Sequence, residues 1–359
     1  MSETKRTEIS SLGEFKLIDH LTANFAATNS STIKGVGDDA AVISCGSLTP
    51  NPSPEERGGR MVKVVTTDML VEGIHFDLMY FPLRSLGYKS VAVNLSDVYA
   101  MNATPKQITV SIAISNRFSV EALEEFYEGI QMACKKFEVD LVGGDTTSSN
   151  KGFIISVTAI GEANENEIVY RSGAKAGDLL CVSGDLGAAY CGLQLLEREK
   201  AVFREHPEAQ PEFSNRQYII GRCLKPEPRK DVIDFFRHAG IKPTSMIDIS
   251  DGLSSEIFHL CKQSETGCML QEENVPIDQE TYHQALEFNV DPITCALSGG
   301  EDYELLFTID PKDEKKIRDA DDLRVIGKIL EKEKGMKMIT KGGNEIALTA
   351  LGWDAFKPT

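Results

Sequence analysis

Five times along this chain an aspartate follows on an apolar run, with glycines or hydroxyls beside it. The stretches are GVGDDAAV (35–42), TTDMLVEG (66–73), VNLSDVYAM (93–101), VGGDTT (142–147) and MIDISDGLSS (246–255). That repetition restricts the folds open to the chain. A charge cannot be carried into a core unpaired, so each apolar element must stop where its carboxylate finds water, a donor or a cation. The runs around these stops alternate between strand-like and helix-like in both halves, the order of an α/β chain.

Apolar residues Leu12, Phe15, Leu17, Ile18, Leu21 and Phe25 give 12–28 a helical spacing. KVVTTDML reads as a strand and its exit, with Thr66, Thr67 and Asp68 leaving it. LRSLGYKSVAVNLSDVYAM reads as a helix with small residues on one side, and VEALEEFYEGIQMACKKF as an amphipathic helix. QITVSIAIS and FIISVTAIGEA are strands, and DLVGGDTTSS a strand ending in a glycine turn. Residues 46–60, rich in Pro, Gly, Ser and charge, read as a hairpin loop or insertion. The polar stretch 162–178 marks a domain boundary, which predicts domains at 1–165 and 166–359. Beyond it, LLCVSGDLGAAYCG, SMIDISDGLSSEIF and CALSGGEDYELLF repeat the pairing of strand and acidic glycine turn.

Composition excludes several classes. A net charge of −17 argues against nucleic acid, which requires clustered cations. No apolar run reaches membrane-spanning length, and MSETKRTEIS has no hydrophobic leader, so a cytoplasmic protein is expected. Of the eight cysteines none forms CxxC, which predicts buried thiols rather than bridges or zinc ligands. HExxH is absent, as are the phosphate-binding GxxxxGK[ST] motif and the kinase HRD and DFG motifs.

A single Asp at a turn is ordinarily a helix cap or an Asx turn. Five together are different, because carboxylates that converge repel one another unless cations sit between them. Mg²⁺ prefers carboxylate, hydroxyl and carbonyl oxygens. Asp38, Asp39, Asp68, Asp97, Asp145, Asp248 and Asp251 form the ligand pool, joined by Thr66 and Thr67. Glycine turns offer backbone N–H groups to phosphate, and VGGDTTSS and SGDLGAAYCG fit that description. Arg171, in the boundary turn, is a surface charge or a phosphate clamp, and Glu301 is free to face a cleft after Gly299 and Gly300.

Taken in order, GVGDDAAV, TTDMLVEGIHF, AVNLSDVYAM, LVGGDTT, YRSGAKAGD, IDISDGLSSE and ALSGGEDYEL resemble the thiamine-monophosphate kinase family, over nearly the whole chain. That family belongs to the fold group of aminoimidazole-ribonucleotide synthetase. The resemblance implies an α/β (α+β) chain of two domains, with an N-terminal sheet forming a homodimer interface and a C-terminal α/β domain. It implies transfer of the ATP γ-phosphoryl to thiamine monophosphate, with several Mg²⁺ ions. By position, Asp39, Thr66, Thr67, Asp68, Asp97, Asp145, Asp248 and Asp251 resemble the metal ligands. Tyr127, Gly144, Asp145, Arg171 and Ser250 resemble the ATP contacts, and His75, Glu301 and Trp353 the contacts to the acceptor.

No general base or covalent nucleophile is expected, because a phosphate monoester is already anionic near neutral pH. Without the resemblance, His75 reads equally as a half-buried residue packing on Phe76, and Trp353 as a tail residue covering the core. Two alternatives remain at this level. One is a sibling enzyme of the fold group with another acceptor. The other is a metal-loaded ATP sensor that does not turn over.

Overall fold

A computed structural model describes residues 14–23, 28–45, 60–208, 210–211 and 213–349. Trp353 lies outside the described residues, as does nearly all of the 46–60 loop. The first half contains α1 (Glu14–Thr22), β1 (Thr32–Lys34), β2 (Ala41–Ser44), β3 (Met61–Val71), α2 (Leu83–Ala100), β4 (Thr104–Ile114), α3 (Val120–Phe137), β5 (Asp140–Ser148) and β6 (Ile154–Asn164). Its strands form one sheet in the order β1-β2-β3-β6-β4-β5. Only β4 and β5 pair in parallel, and α3 is the crossover between them.

The second half continues with β7 (Leu179–Ser183), α4 (Ala188–Glu205), α5 (Gln217–Leu224), α6 (Lys230–Ala239), β8 (Ser245–Asp248), α7 (Leu253–Ser264), β9 (Thr266–Gln271), α8 (Gln279–Glu287), α9 (Pro292–Ser298), β10 (Leu305–Ile309), α10 (Glu314–Arg318), β11 (Leu323–Glu331), β12 (Met336–Ile339) and β13 (Glu345–Ala347). These strands build a second sheet in the order β13-β12-β9-β11-β7-β10-β8. The mixed α/β architecture with two sheets is the fold class read from the sequence.

Local chemistry explains the main elements of the first half. The Ser119 hydroxyl caps α3 by accepting from the Ala122 N–H at 3.2 Å, and Lys135 and Lys136 sit in its last turn, where the helix dipole favours cations. Phe126, Ile130, Ala133 and Phe137 form its buried stripe. Helix α2 is buried nearly all round, between α3, the first sheet and β8. It meets α3 backbone to backbone. A Cβ on Gly87 would lie 1.9 Å from the Phe126 carbonyl oxygen, and one on Gly129 would lie 1.9 Å from that of Arg84.

One apolar cluster runs from Val62, Val64 and Leu95 through Phe236 to Phe307, so the two halves share packing around α2. The other face of the first sheet is open. Along β3, Lys63, Val65, Thr67 and Met69 alternate with the buried residues, and every residue of β5 is exposed, Leu141 and Val142 included. No helix of the described residues is long and apolar enough to cross a membrane.

Two strands run longer than the sequence suggests, and one of the acidic stretches lies within a helix. β3 does not end before Thr66 but continues to Val71, and the chain turns only at Glu72–Phe76, so Thr66–Asp68 lie inside a strand. VNLSDVYAM forms the C-terminal part of α2, as the helical reading of 83–101 has it, so Asp97 sits on a helix rather than in a turn. DLVGGDTTS is strand throughout rather than strand and turn. Gly144 allows this, because a Cβ there would lie 1.8 Å from the Val110 carbonyl oxygen of β4.

Candidate active site

The carboxylates converge where β3, α2 and β8 meet. Asp39 precedes β2, Asp97 sits on α2 and Asp248 ends β8. Each offers an oxygen, and these all lie within 4.8 Å of one another. Thr66 faces them from β3, donating from Oγ1 to Asp97 Oδ2 at 2.6 Å. Asp68, two residues on and therefore on the same face, raises the pKa of both Asp97 and Asp248 through its charge. Its own backbone N–H is fixed by Asn94 Oδ1 of α2 at 3.0 Å. Ser96 Oγ donates to Asp248 Oδ2 at 2.7 Å, tying α2 to β8.

Arg171 is the cation set against this cluster. Its Nε donates to Asp39 Oδ1 at 3.0 Å and a terminal nitrogen donates to the same oxygen at 2.5 Å. It does not balance the charge. Burial pushes Asp39 up to about 7 despite Arg171, and Asp248 up to about 6 despite the Ser96 hydrogen bond. Asp97 is raised well above the usual range, first by burial and then by Asp68, Asp248 and Asp39. Asp39 Oδ2 is buried with no hydrogen-bond partner. A crowded, under-neutralised group of hard oxygens with an orphaned lone pair fits divalent cations of the Mg²⁺ type. Asp38 stands aside, accepting from the Arg171 backbone N–H at 3.1 Å with Lys34 at 3.4 Å.

The turn after β8 carries Ser250 and Asp251. Buried Glu256 of α7 holds it by accepting from the Asp251 N–H at 2.9 Å. The SGGEDYEL turn clamps onto it. Glu301 and Tyr303, both in the left-handed region at φ 59° and 52°, donate their N–H groups to the carbonyls of Ser250 at 2.7 Å and Ile249 at 2.8 Å. Such backbone costs about 1–3 kcal/mol per residue and persists only where its surroundings enforce it. Glu301 thus lies beside the acidic cluster, with buried Tyr303 feeling the charges of Glu301, Asp68, Asp248 and Asp251. His75 completes this side. Its Nδ1 accepts from the Val71 N–H at 3.0 Å, which assigns the proton of the neutral ring to Nε2. Burial lowers its pKa, with Glu301 acting against that shift and Lys89 adding to it.

A second group lies apart. Tyr127 of α3 and Gly144 and Asp145 of β5 line one cavity of about 360 Å³. The ladder pairs Asp68 with Val157, Val157 with Val110, and Val110 with Gly144. Gly144 is therefore three strand spacings from Asp68, roughly 14 Å along the sheet. Asp145, in the row of Met69, Ser156 and Ser111, points to the open face, and its Oδ1 accepts from the Thr146 N–H. Thr67 also faces outward, donating to the Val157 carbonyl at 3.0 Å. Within one chain the structure gathers Asp39, Thr66, Asp68, Asp97, Arg171 and Asp248, with Ser250 and Asp251 on the clamped turn and Glu301 and His75 alongside. It does not bring Asp145 or the Thr67 side chain to them.

SGDLGAAYCG is closed to phosphate as well. The Gly187 N–H at the start of α4 donates to Asp302 Oδ2 at 2.9 Å, so an internal carboxylate occupies that helix terminus. Asn94, Ser96, Lys89 and Glu256 were not singled out from the sequence. Their signal is polar side chains on helices that are largely buried, and it emerges only once α2 and α7 are packed. The eight cysteines are all free, and six of them are buried, in keeping with the thiol reading.

Residues 37–163 match the family model described as AIR synthase related protein, N-terminal domain. The chain is 30% identical over 354 residues to a thiamine-monophosphate kinase of Bacillus subtilis, covering 96% of this chain and 100% of that one. It is 35% identical over 297 residues to the thiamine-monophosphate kinase of Aquifex aeolicus, covering 83% and 86%. The solved structure of AaThiL complexed with AMPPCP and TMP superimposes with a TM-score of 0.78 at 32% identity, covering 98% of this chain and 99% of the other. The chain belongs to the thiamine-monophosphate kinase family.

Proposed function

We infer that this chain transfers the γ-phosphoryl of ATP directly to thiamine monophosphate, yielding thiamine diphosphate and ADP. The observation that carries this reading is the convergence of Asp39, Asp97 and Asp248, with Glu301 and His75 beside them. It stands in a chain matched along nearly its whole length by thiamine-monophosphate kinases.

The two substrates are polyanions, and bringing them together is the main barrier. Asp39, Thr66, Asp68, Asp97, Asp248 and Asp251 would hold Mg²⁺, which when bound supplies positive charge to the phosphate oxygens. Arg171 adds a fixed guanidinium at the same place, and Ser250 lies on the adjoining turn. The acceptor phosphate attacks as it stands, so no side chain has to remove a proton. His75 offers an Nε2–H donor and Glu301 a carboxylate to the heterocyclic end of the acceptor, and Trp353 is assigned to the same end by position.

We propose that Thr67 and Asp145 serve metal from the open face of the sheet, that Tyr127 and Gly144, with Asp145, serve ATP at the cavity they line beside β5, and that a second copy of the chain covers the open face. An all-exposed edge strand and half-exposed Val65 and Ile160 favour pairing over solvent. The same reading places the domains at 1–165 and 166–359 and the protein in the cytoplasm.

Purified chain incubated with ATP, Mg²⁺ and thiamine monophosphate, followed by thiochrome fluorescence of thiamine diphosphate, tests the reaction. Equal yields of ADP and thiamine diphosphate are expected. Bound ATP without product would overturn catalysis in favour of a nucleotide sensor, and ADP formed only with another acceptor would move the chain to a sibling activity.

A further inference from the structure

Lys89 is a charged residue in the last place a charge is expected. It sits on α2, packed on nearly every side, and its side chain is 1% exposed. Its Nζ donates to Glu301 Oε2 at 2.9 Å and to the Cys223 carbonyl of α5 at 3.2 Å, and lies over the Phe81 ring at 5.4 Å from the centroid. Its donors are thus turned to one carboxylate, one carbonyl and one π face. The ammonium is sealed from the cleft and cannot itself reach a ligand. Glu301 is its outlet, 27% exposed.

A buried ammonium is costly unless it is paired, and a carboxylate held by one is fixed in its rotamer. Lys89 occupies Oε2 of Glu301. Among the described residues no group donates to Oε1. The backbone of Glu301 is fixed independently through its N–H to Ser250. Carboxylate and backbone are therefore both pinned, from different elements, with one oxygen left to the cleft. His75 senses Glu301 and Lys89 together.

We propose that Lys89 is a positioning residue for acceptor recognition. It acts through Glu301, fixing that carboxylate's orientation and aiming Oε1 at an acceptor that carries an N–H donor or a cationic heterocycle. It also makes recognition depend on α2 and α5 being docked, since one ammonium links both helices to the Glu301 turn. This rests on the reading above that Glu301 faces the acceptor.

The test is steady-state kinetics of Lys89→Met, Glu301→Gln and the double variant, with thermal melting of each as a folding control. Glu301→Gln is expected to raise the KM for thiamine monophosphate. Lys89→Met is expected to raise the same KM by about tenfold or more, because a desolvated charge pair has lost one partner. Its kcat and its KM for ATP stay within about twofold of wild type. In the Glu301→Gln background, Lys89→Met adds less than about twofold, since both act through one contact. A loss confined to kcat or shared with the ATP KM, or effects that multiply in the double variant, would overturn the role of Lys89 while leaving Glu301 at the acceptor. An unchanged acceptor KM in Glu301→Gln would overturn the acceptor reading itself and the proposal with it. If Lys89→Met fails to fold, Lys89→Gln, uncharged and able to donate to the Cys223 carbonyl, is read on the same axes.

Discussion

Asp97 shows how the site sets function against stability. It accepts one hydrogen bond, from Thr66, and faces three other carboxylates that raise its pKa. Burial pushes Asp39 up to about 7 and Asp248 up to about 6, against 3.8 for a free carboxyl. These two groups thus bind more protons in the folded than in the unfolded chain between about pH 4 and 7, and the stability they contribute falls as pH rises through that window. Metal-free protein should melt lower at pH 8 than at pH 5. Asp97→Asn should weaken that fall and raise the metal-free melting temperature at pH 8 by about 3 °C, since it removes one repelling charge. The same change should lower kcat by about two orders of magnitude or more. Calorimetry in chelator, paired with the thiochrome assay, checks both, and a variant that is active or less stable at pH 8 would count against the cluster as a cation site. The carboxylates themselves were legible, because an Asp after an apolar run has few innocent explanations when it recurs. Their partners were not. Whether Thr66 or Thr67 faces the cluster depends on where β3 ends, and the strand runs further than its apolar residues suggest.

At the scale of elements, α2 is the part that reaches into everything. Through Asn94, Ser96, Asp97 and Lys89 it touches β3, the acidic cluster, β8 and the Glu301 turn. Its seat on α3 depends on two glycines that bring backbone against backbone, so a methyl group at either has no room. Gly129→Ala should destabilise the fold by about 2–3 kcal/mol, as overpacking does. Because α2 would shift against β8, it should also raise the Mg²⁺ concentration needed for half-maximal activity. Denaturant melts and a Mg²⁺ titration read the two effects, and an unaltered Mg²⁺ response would mean that α2 adjusts without moving Asp97. The two helices were plain from apolar spacing in 83–101 and 120–137, and the strands from their β-branched runs. The closeness of α2 to α3 was not legible, since a glycine in a helix carries no label for what lies opposite. Nor was the continuation of β5 through GGDTT, because a glycine pair reads as a turn until the neighbouring backbone is known to approach it.

For the whole molecule, the open question is where Asp145 acts. It lies on the uncovered face of the first sheet, roughly three strand spacings from the row of Asp68, on an edge strand exposed along its length. A two-fold dimer over that face would set the β5 edge of one copy against the other copy and bring Asp145 toward the partner's cluster. Asp145→Asn and Asp97→Asn chains should then each be inactive alone and complement one another. Unfolded together and refolded at equal concentrations, half of the dimers would be mixed, each with one intact site, giving about a quarter of wild-type activity. If Asp145 instead serves the cluster of its own chain, every site in a mixed dimer keeps one lesion and the mixture stays inactive. The second outcome would require the sheet to curl until β5 approaches β3 within one chain. Refolding is needed because a dimer built on a whole sheet face exchanges slowly, and sedimentation of the refolded mixture confirms that dimers were present when activity was read.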